Sequence, residues 1–304
     1  MNYQEFLTNI KTQLSSRIDT DLTLDIQTFT KNNGTHYDGL VIMQPNLNVS
    51  PTIYLMPYYH RYLEGVCLED IYEDILATYH ANLPKEDFDT SIFTDYKKAA
   101  SRIVMRLVSY KCNEELLKDI PHYRYQDLAI IFYCLLSADQ YNQANILIHN
   151  EHLSLWNVTA DSLYHAALIN TPKLLPYELI SMQSFLSEHH PDFIKEIEDC
   201  EVTIYILTNH YRTNGATVIL YEDLLRQLAE KFQQDFLLLP SSIHEVLLIP
   251  VDSADSEDLS RYTRMVQEVN ETQLADDEIL SDHAYYFSRI TGQLSYEPKA
   301  ASAK

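Results

Sequence analysis

Residues 203–250 confine the fold more than any other stretch of this chain. They read TIYILTNHYRTNGATVILYEDLLRQLAEKFQQDFLLLPSSIHEVLLIP. An apolar run, the pair Asn214-Gly215, a second apolar run, a helix and two strand-like runs follow one another. The helix is set by Tyr221, Leu224, Leu225, Leu228, Ala229 and Phe232, which recur at the spacing of one helical face. Glu222 and Asp223 in its first turn and Lys231 near its end suit the helix dipole. The same design stands near the start of the chain. LTLDIQTFT and THYDGLVIM flank Lys31–Gly34 (KNNG), and Asn-Gly is the favoured pair for a tight hairpin because both central residues must take positive φ. LEDIYEDILATY then places Leu68, Ile71, Tyr72, Ile75, Leu76 and Tyr79 on one stripe, with Glu69, Asp70, Glu73 and Asp74 opposite.

The intervening segments complete an α+β reading. Tyr3, Phe6, Leu7, Ile10 and Leu14 line a first helix over residues 2–17, and TIYLMP reads as a third strand-like run. Between Tyr96 and Tyr125 the charge reverses, with seven Lys or Arg against three acids. RIVMRLVSY is β-branched and roughly alternating, so strand competes with helix there, and Arg102 and Arg106 share a face in either form. DLAIIFYCLLS reads as a strand covered on both faces, with NILIHN as its neighbour. Thr159 caps a helix that Pro172 and Pro176 end, and residues 177–195 read as further helix. DSADSEDLSRYTRMVQEVN reads as a capped helix with Leu259, Tyr262, Val266 and Val269 inward, and AYYFSRITGQLSYE as a hairpin turning at Thr291-Gly292. The expected architecture is mixed or antiparallel sheets with amphipathic helices packed on them in one compact body. Its units are 1–95, 96–200 and 201–298, followed by a frayed tail at 299–304.

Composition narrows the function. Five glycines in 304 residues leave no material for a glycine-rich phosphate loop. No apolar window is long enough to span a bilayer, and MNYQEFLTNIKTQL lacks the pattern of a signal peptide. Cys67, Cys112, Cys134 and Cys200 are scattered without metal-ligand or disulfide spacing, which suits a reducing cytoplasm. The net charge of −22 reads as solubility, or as docking to a basic partner or mimicry of nucleic acid. Direct nucleic-acid binding is not expected, since phosphate affinity needs clustered cations.

Three groups of residues invite a site. Ser241, Ser242, His244 and Glu245 lie within five positions. They suggest a hydrolase, but a nucleophilic serine needs a base within hydrogen-bond reach, and the competing reading is a hairpin turn whose hydroxyls cap backbone amides. Tyr58, Tyr59 and Tyr62 form either an amphipathic packing edge or a protein-binding patch. Arg102 and Arg106 either pair with the abundant acids or form a patch for an anion or acidic partner. The pairs His149/His152 and His189/His190 lack a third ligand, so they read as surface or cap residues and no metal or cofactor is expected.

TNGATVILYEDLLRQLAEKF, LPSSIHEVLLIP and KNNGTHYDGL resemble a bacterial domain-of-unknown-function family, number 5688. Its signature, Leu-Pro-Ser-Ser-[Ile/Val]-His-Glu before an apolar strand, stands here at Leu239–Glu245. KDIPHYRYQDLAIIFYCLL and NEHLSLWNVTADSLYHAALIN extend the resemblance over nearly the whole chain. The resemblance implies a shared fold and supplies no activity. The expected function is that of a non-catalytic accessory or protein-interaction factor of the cytoplasm. The alternatives are a hydrolase built on the Ser-Ser-x-His-Glu cluster and an acidic nucleic-acid mimic. Oligomeric state is not readable.

Overall fold

A computed structural model describes residues 1–84, 90–138, 143–189, 203–252 and 256–296. The chain divides into two compact units, Met1–Thr90 and Ser91–Lys304.

The first unit begins with α1 (Tyr3–Ser15), opened by a capping box in which Asn2 accepts from the Glu5 amide and the Glu5 side chain answers the Asn2 amide. Strands β1 (Thr23–Thr30), β2 (His36–Met43) and β3 (Thr52–Tyr54) pair antiparallel in that order. The KNNG connection turns as its residues require. Asn33 and Gly34 have φ of 57° and 70°, and the Thr35 amide donates to Asn32 O. Helices α2 (Met56–Leu63) and α3 (Leu68–Ala81) follow. The α3 stripe buries Ile71, Tyr72, Ile75 and Tyr79 against Phe6, Ile10 and Leu14 of α1 and Leu40 and Ile42 of β2.

The second unit contains two antiparallel sheets. Helix α4 (Tyr96–Ala100) precedes β4 (Ile103–Ser109), so RIVMRLVSY is strand. After α5 (Glu114–Leu117) come β5 (His122–Tyr125), β6 (Leu128–Ala138) and β7 (Gln143–Leu147). The apolar run is β6, which takes β4 on one edge and β5 and β7 end to end on the other. The outer edge of β4 is closed by side chains instead of a further strand. The Met105 amide donates to Thr171 Oγ1 at 3.0 Å and the Leu107 amide to Thr217 Oγ1 at 3.2 Å, and both threonines are buried.

Thr171 belongs to α7 (Ala160–Leu174), which follows α6 (Asn150–Trp156) and is capped by Thr159 as expected. Pro172 lies inside α7, and the helix ends two residues later, before Pro176. Residues 177–189 are not continuous helix. Tyr177–Ser181 is a strand, β8, and only Met182–His189 is helical, as α8. YELIS takes strand form because β9 (Tyr205–Asn209) offers it a full antiparallel register, from Tyr177 opposite Asn209 to Ser181 opposite Tyr205. The acidic stretch 196–201 lies outside the described residues.

The run after Asn214-Gly215 is not a strand either. Gly215–Leu220 is a buried 3-10 segment, and its Thr217 is the residue that closes the β4 edge. The helix begins later than its apolar spacing suggests, as α9 (Leu224–Phe232). Then come β10 (Asp235–Pro240), β11 (Val246–Val251), α10 (Ser256–Gln273), β12 (Tyr285–Ser288) and β13 (Gln293–Ser295). The larger sheet runs β13-β12-β10-β11-β9-β8. Helix α10 buries Leu259 and Val266, but Val269 is 41% exposed and Asn270 points inward in its place. The Asn270 amide donates to Ser281 O and Asp282 Oδ1, so the inner face ends in a polar anchor.

Candidate functional site

The Ser-Ser-x-His-Glu residues form the turn of the β10–β11 hairpin, in which Pro240 pairs with Val246. Ser242 is buried, and its hydroxyl accepts the His244 amide at 3.0 Å. The His244 ring is turned away from both serines. Its Nδ1 accepts the Asn214 amide at 3.1 Å and its Nε2 faces Glu278 Oε1 at 3.8 Å. An imidazole nitrogen that accepts from an amide is unprotonated, so the neutral ring carries its proton on Nε2, toward the carboxylate. The backbone of the turn is fixed as well. Thr208 Oγ1 donates to His244 O at 2.8 Å, the Ala216 amide to Ile243 O, and the Ile243 amide to Glu278 O. Thus the Asn214-Gly215 turn and the 241–245 turn, separate in sequence, are bolted together, while Ser241 and Glu245 remain half-buried beside them.

Tyr58, Tyr59 and Tyr62 sit on α2 and pack their rings against the core of the first unit. Tyr59 lies 5.1 Å from Tyr3 and 5.3 Å from Phe6, and it stacks on Tyr62. The Tyr58 hydroxyl meets Thr78 Oγ1, and Tyr62 OH accepts from the amino terminus.

The two arginines differ. Arg102 is exposed and its guanidinium donates to Leu136 O. Arg106 lies in β4 directly opposite Ile131, which on its other side is opposite His122 of β5. Arg124, opposite Ala129, occupies the same sheet face. Arg106 covers the Tyr133 ring at 3.9 Å and Arg124 covers Tyr110 at 4.6 Å. Tyr110 meets the edge of His122. One end of this face is covered by Leu116, Leu117 and Ile120, and the other by Leu174, Leu175 and Tyr211. Arg106 stands half-buried between them, and among the described residues none of Arg102, Arg106 and Arg124 has a carboxylate within ion-pair distance. Burial lowers the Arg106 pKa, with Tyr133 opposing the shift.

A fourth constellation escaped the sequence. Asp127, in the β5–β6 turn, accepts Ser281 Oγ at 2.6 Å on Oδ2 and Tyr285 OH at 2.6 Å on Oδ1, and His283 Nδ1 lies 3.2 Å from Oδ2. A carboxylate on Nδ1 fixes an imidazole with Nε2 outward, the arrangement of an oriented base. Burial, and secondarily Asp127, raise the Tyr285 pKa well above the usual phenol value. The partners are 154 to 158 residues apart, so no local motif marks them. The available signal was the alternation Ser281, His283, Tyr285, which puts three polar side chains on one side of an extended run.

His149 and His152 cap α6, the His149 amide donating to His152 Nδ1 at 2.9 Å. His190 and the side chain of His189 lie outside the described residues. Among those described, no three His, Cys, Asp or Glu side chains gather into a metal-holding group.

These features define an α+β protein with three antiparallel sheets, in which no described helix is long and apolar enough to cross a membrane. The chain belongs to a family of unknown function (DUF5688), whose model matches residues 3–289. No curated protein and no solved structure matches it.

Proposed function

We propose that this chain is a non-catalytic interaction protein of the cytoplasm that receives a carboxylate-bearing segment of a partner on the outer face of the β4-β6-β5 sheet. The observation that carries the reading is Arg106. A half-buried guanidinium without a carboxylate is costly to keep, and such groups persist where a ligand completes them. Each arginine lies over a tyrosine ring, which restrains the fork that pairs with a carboxylate through two parallel bonds. Two strand spacings and a two-residue offset put Arg106 and Arg124 about 12 Å apart at their Cα atoms, the span of roughly four residues of an extended peptide. His122 shares the face, level with Arg106 across the sheet and two residues before Arg124 on β5. A nucleic acid is the poorer partner, because two arginines are not the extended cluster of cations that a run of phosphates needs.

The test is fluorescence anisotropy with a labelled glutamate-rich peptide. Wild type binds, and Arg106→Gln combined with Arg124→Gln weakens binding at least about tenfold, or 1.4 kcal/mol. Equal affinity of the double variant and the wild type would refute the reading.

A further inference from the structure

Beside the end of β5, on the side of the strand opposite Arg124, the second unit holds a cleft of about 150 Å³. It is lined by Tyr125, Asp223 and Arg226, with Phe287 and Leu294 supplying apolar wall. The three polar groups have one property in common. Among the described residues, the Tyr125 hydroxyl has no hydrogen-bond partner and neither Asp223 nor Arg226 is ion-paired, although the two lie three residues apart at the start of α9. Asp223 occupies the N-cap position of α9 with φ of 57°, yet its side chain makes no cap bond. The left-handed backbone at Asp223 takes it off the helical spacing at which such charges meet, and both are left for a ligand.

Arg226 lies against Gly292. A Cβ there would stand 2.5 Å from the guanidinium, which can swing aside, so it is the φ of 66° that favours glycine at this position. The guanidinium thus lies along the wall of the cleft. Tyr125 is half-buried, and desolvation pushes its pKa up to about 12, so at neutral pH its hydroxyl is a donor and acceptor.

One cation, one anion and a neutral hydroxyl around a small, mostly polar cleft are complementary to a zwitterion. We propose that this cleft binds a free α-amino acid. Arg226 takes the α-carboxylate through its fork, Asp223 takes the α-ammonium, and the side chain rests on Phe287 and Leu294 with Tyr125 at its polar end. A carboxylic acid or an amine alone would leave one of the two charges unmatched. The volume suits a single residue and not a peptide. This site is independent of the arginine face, so either can fail alone.

Isothermal titration of the full chain with each of the twenty standard α-amino acids tests it, with propionate and propylamine as single-charge probes. The expected result is saturable binding of at least one amino acid, with both single-charge probes weaker by about tenfold or more. Asp223 and Arg226 are exposed, so Asp223→Asn and Arg226→Gln should fold as wild type by circular dichroism, and each should weaken the amino acid by a similar factor. Tyr125→Phe, which keeps the ring, should weaken it less. Saturation by none of the twenty, equal binding of propionate or propylamine, or unchanged affinity in both charge variants would overturn the proposal.

Discussion

Gly215→Ala is the sharpest perturbation of the region around the family signature. A Cβ at residue 215 would overlap Thr208 Oγ1, and it would come within 2.5 Å of His244 O and 2.7 Å of the Asn209 amide nitrogen. Two of these neighbours are backbone, held by the bonds that join the Asn214-Gly215 turn to the 241–245 turn, so rotamer changes cannot relieve the contact. Overpacking costs about 1–3 kcal/mol and the lost Thr208–His244 hydrogen bond about 1 kcal/mol more, for a total of about 2–4 kcal/mol. Gly65→Ala is the control. Gly65 has φ of 98° but nothing within 4 Å of the added carbon, so its cost is backbone strain alone, about 1–2 kcal/mol. Urea unfolding followed by circular dichroism measures both. Gly215→Ala should lower the midpoint more than Gly65→Ala, with the slope unchanged. If Gly215→Ala proves neutral, the two turns are not bolted together and the role assigned to His244 fails with them.

Other outcomes follow from the same contacts. Thr217→Val keeps the shape of the side chain but strips the Leu107 amide of its acceptor, and should destabilise by about 1–3 kcal/mol in the same assay. Asp127→Ala removes the acceptor of Ser281 and Tyr285 together and should lower the melting temperature more than Tyr285→Phe, which removes one bond to the carboxylate. The pH dependence has a definite sign. The unfolded Tyr125 phenol ionises near 10, while the folded one holds its proton to about 12, so above pH 10 the unfolded state binds fewer protons and stability falls. Melting temperatures measured in steps across that window should decline less in Tyr125→Phe than in wild type.

Local chemistry was legible in the sequence wherever one short stretch decides its own form. Asn33-Gly34 turns because those two residues tolerate positive φ, and the stripe Ile71, Tyr72, Ile75 and Tyr79 is buried because one helix face presents it. FLLLP and VLLIP pair across a turn for equally local reasons. Long-range partners overruled local preference elsewhere. GATVIL reads as strand from Thr217, Val218 and Ile219, yet it folds as a 3-10 segment whose Thr217 answers a distant amide. YELIS reads as helix until β9 is beside it. In α10 a valine and an asparagine compete for the inward place, and the asparagine takes it because Ser281 and Asp282 accept its amide. The turn at Ser241–Glu245 was legible as a turn, but its attachment to Asn214 was not. The Asp127 cluster and the Tyr125–Arg226 cleft are assembled from remote segments, and only the fold brings their members together.

The central functional claim concerns Arg106 and Arg124, and amide chemical-shift mapping of the isotope-labelled chain tests it most directly. On titration with a glutamate-rich peptide, the perturbed amides should cluster at Arg106, Tyr110, His122, Arg124 and Tyr133, on one face of three adjacent strands. The shifts should also retreat as salt is raised, because the bonds that form are between opposite charges. Perturbations confined to the other sheet or to the first unit, or no perturbation at a peptide excess, would contradict the account.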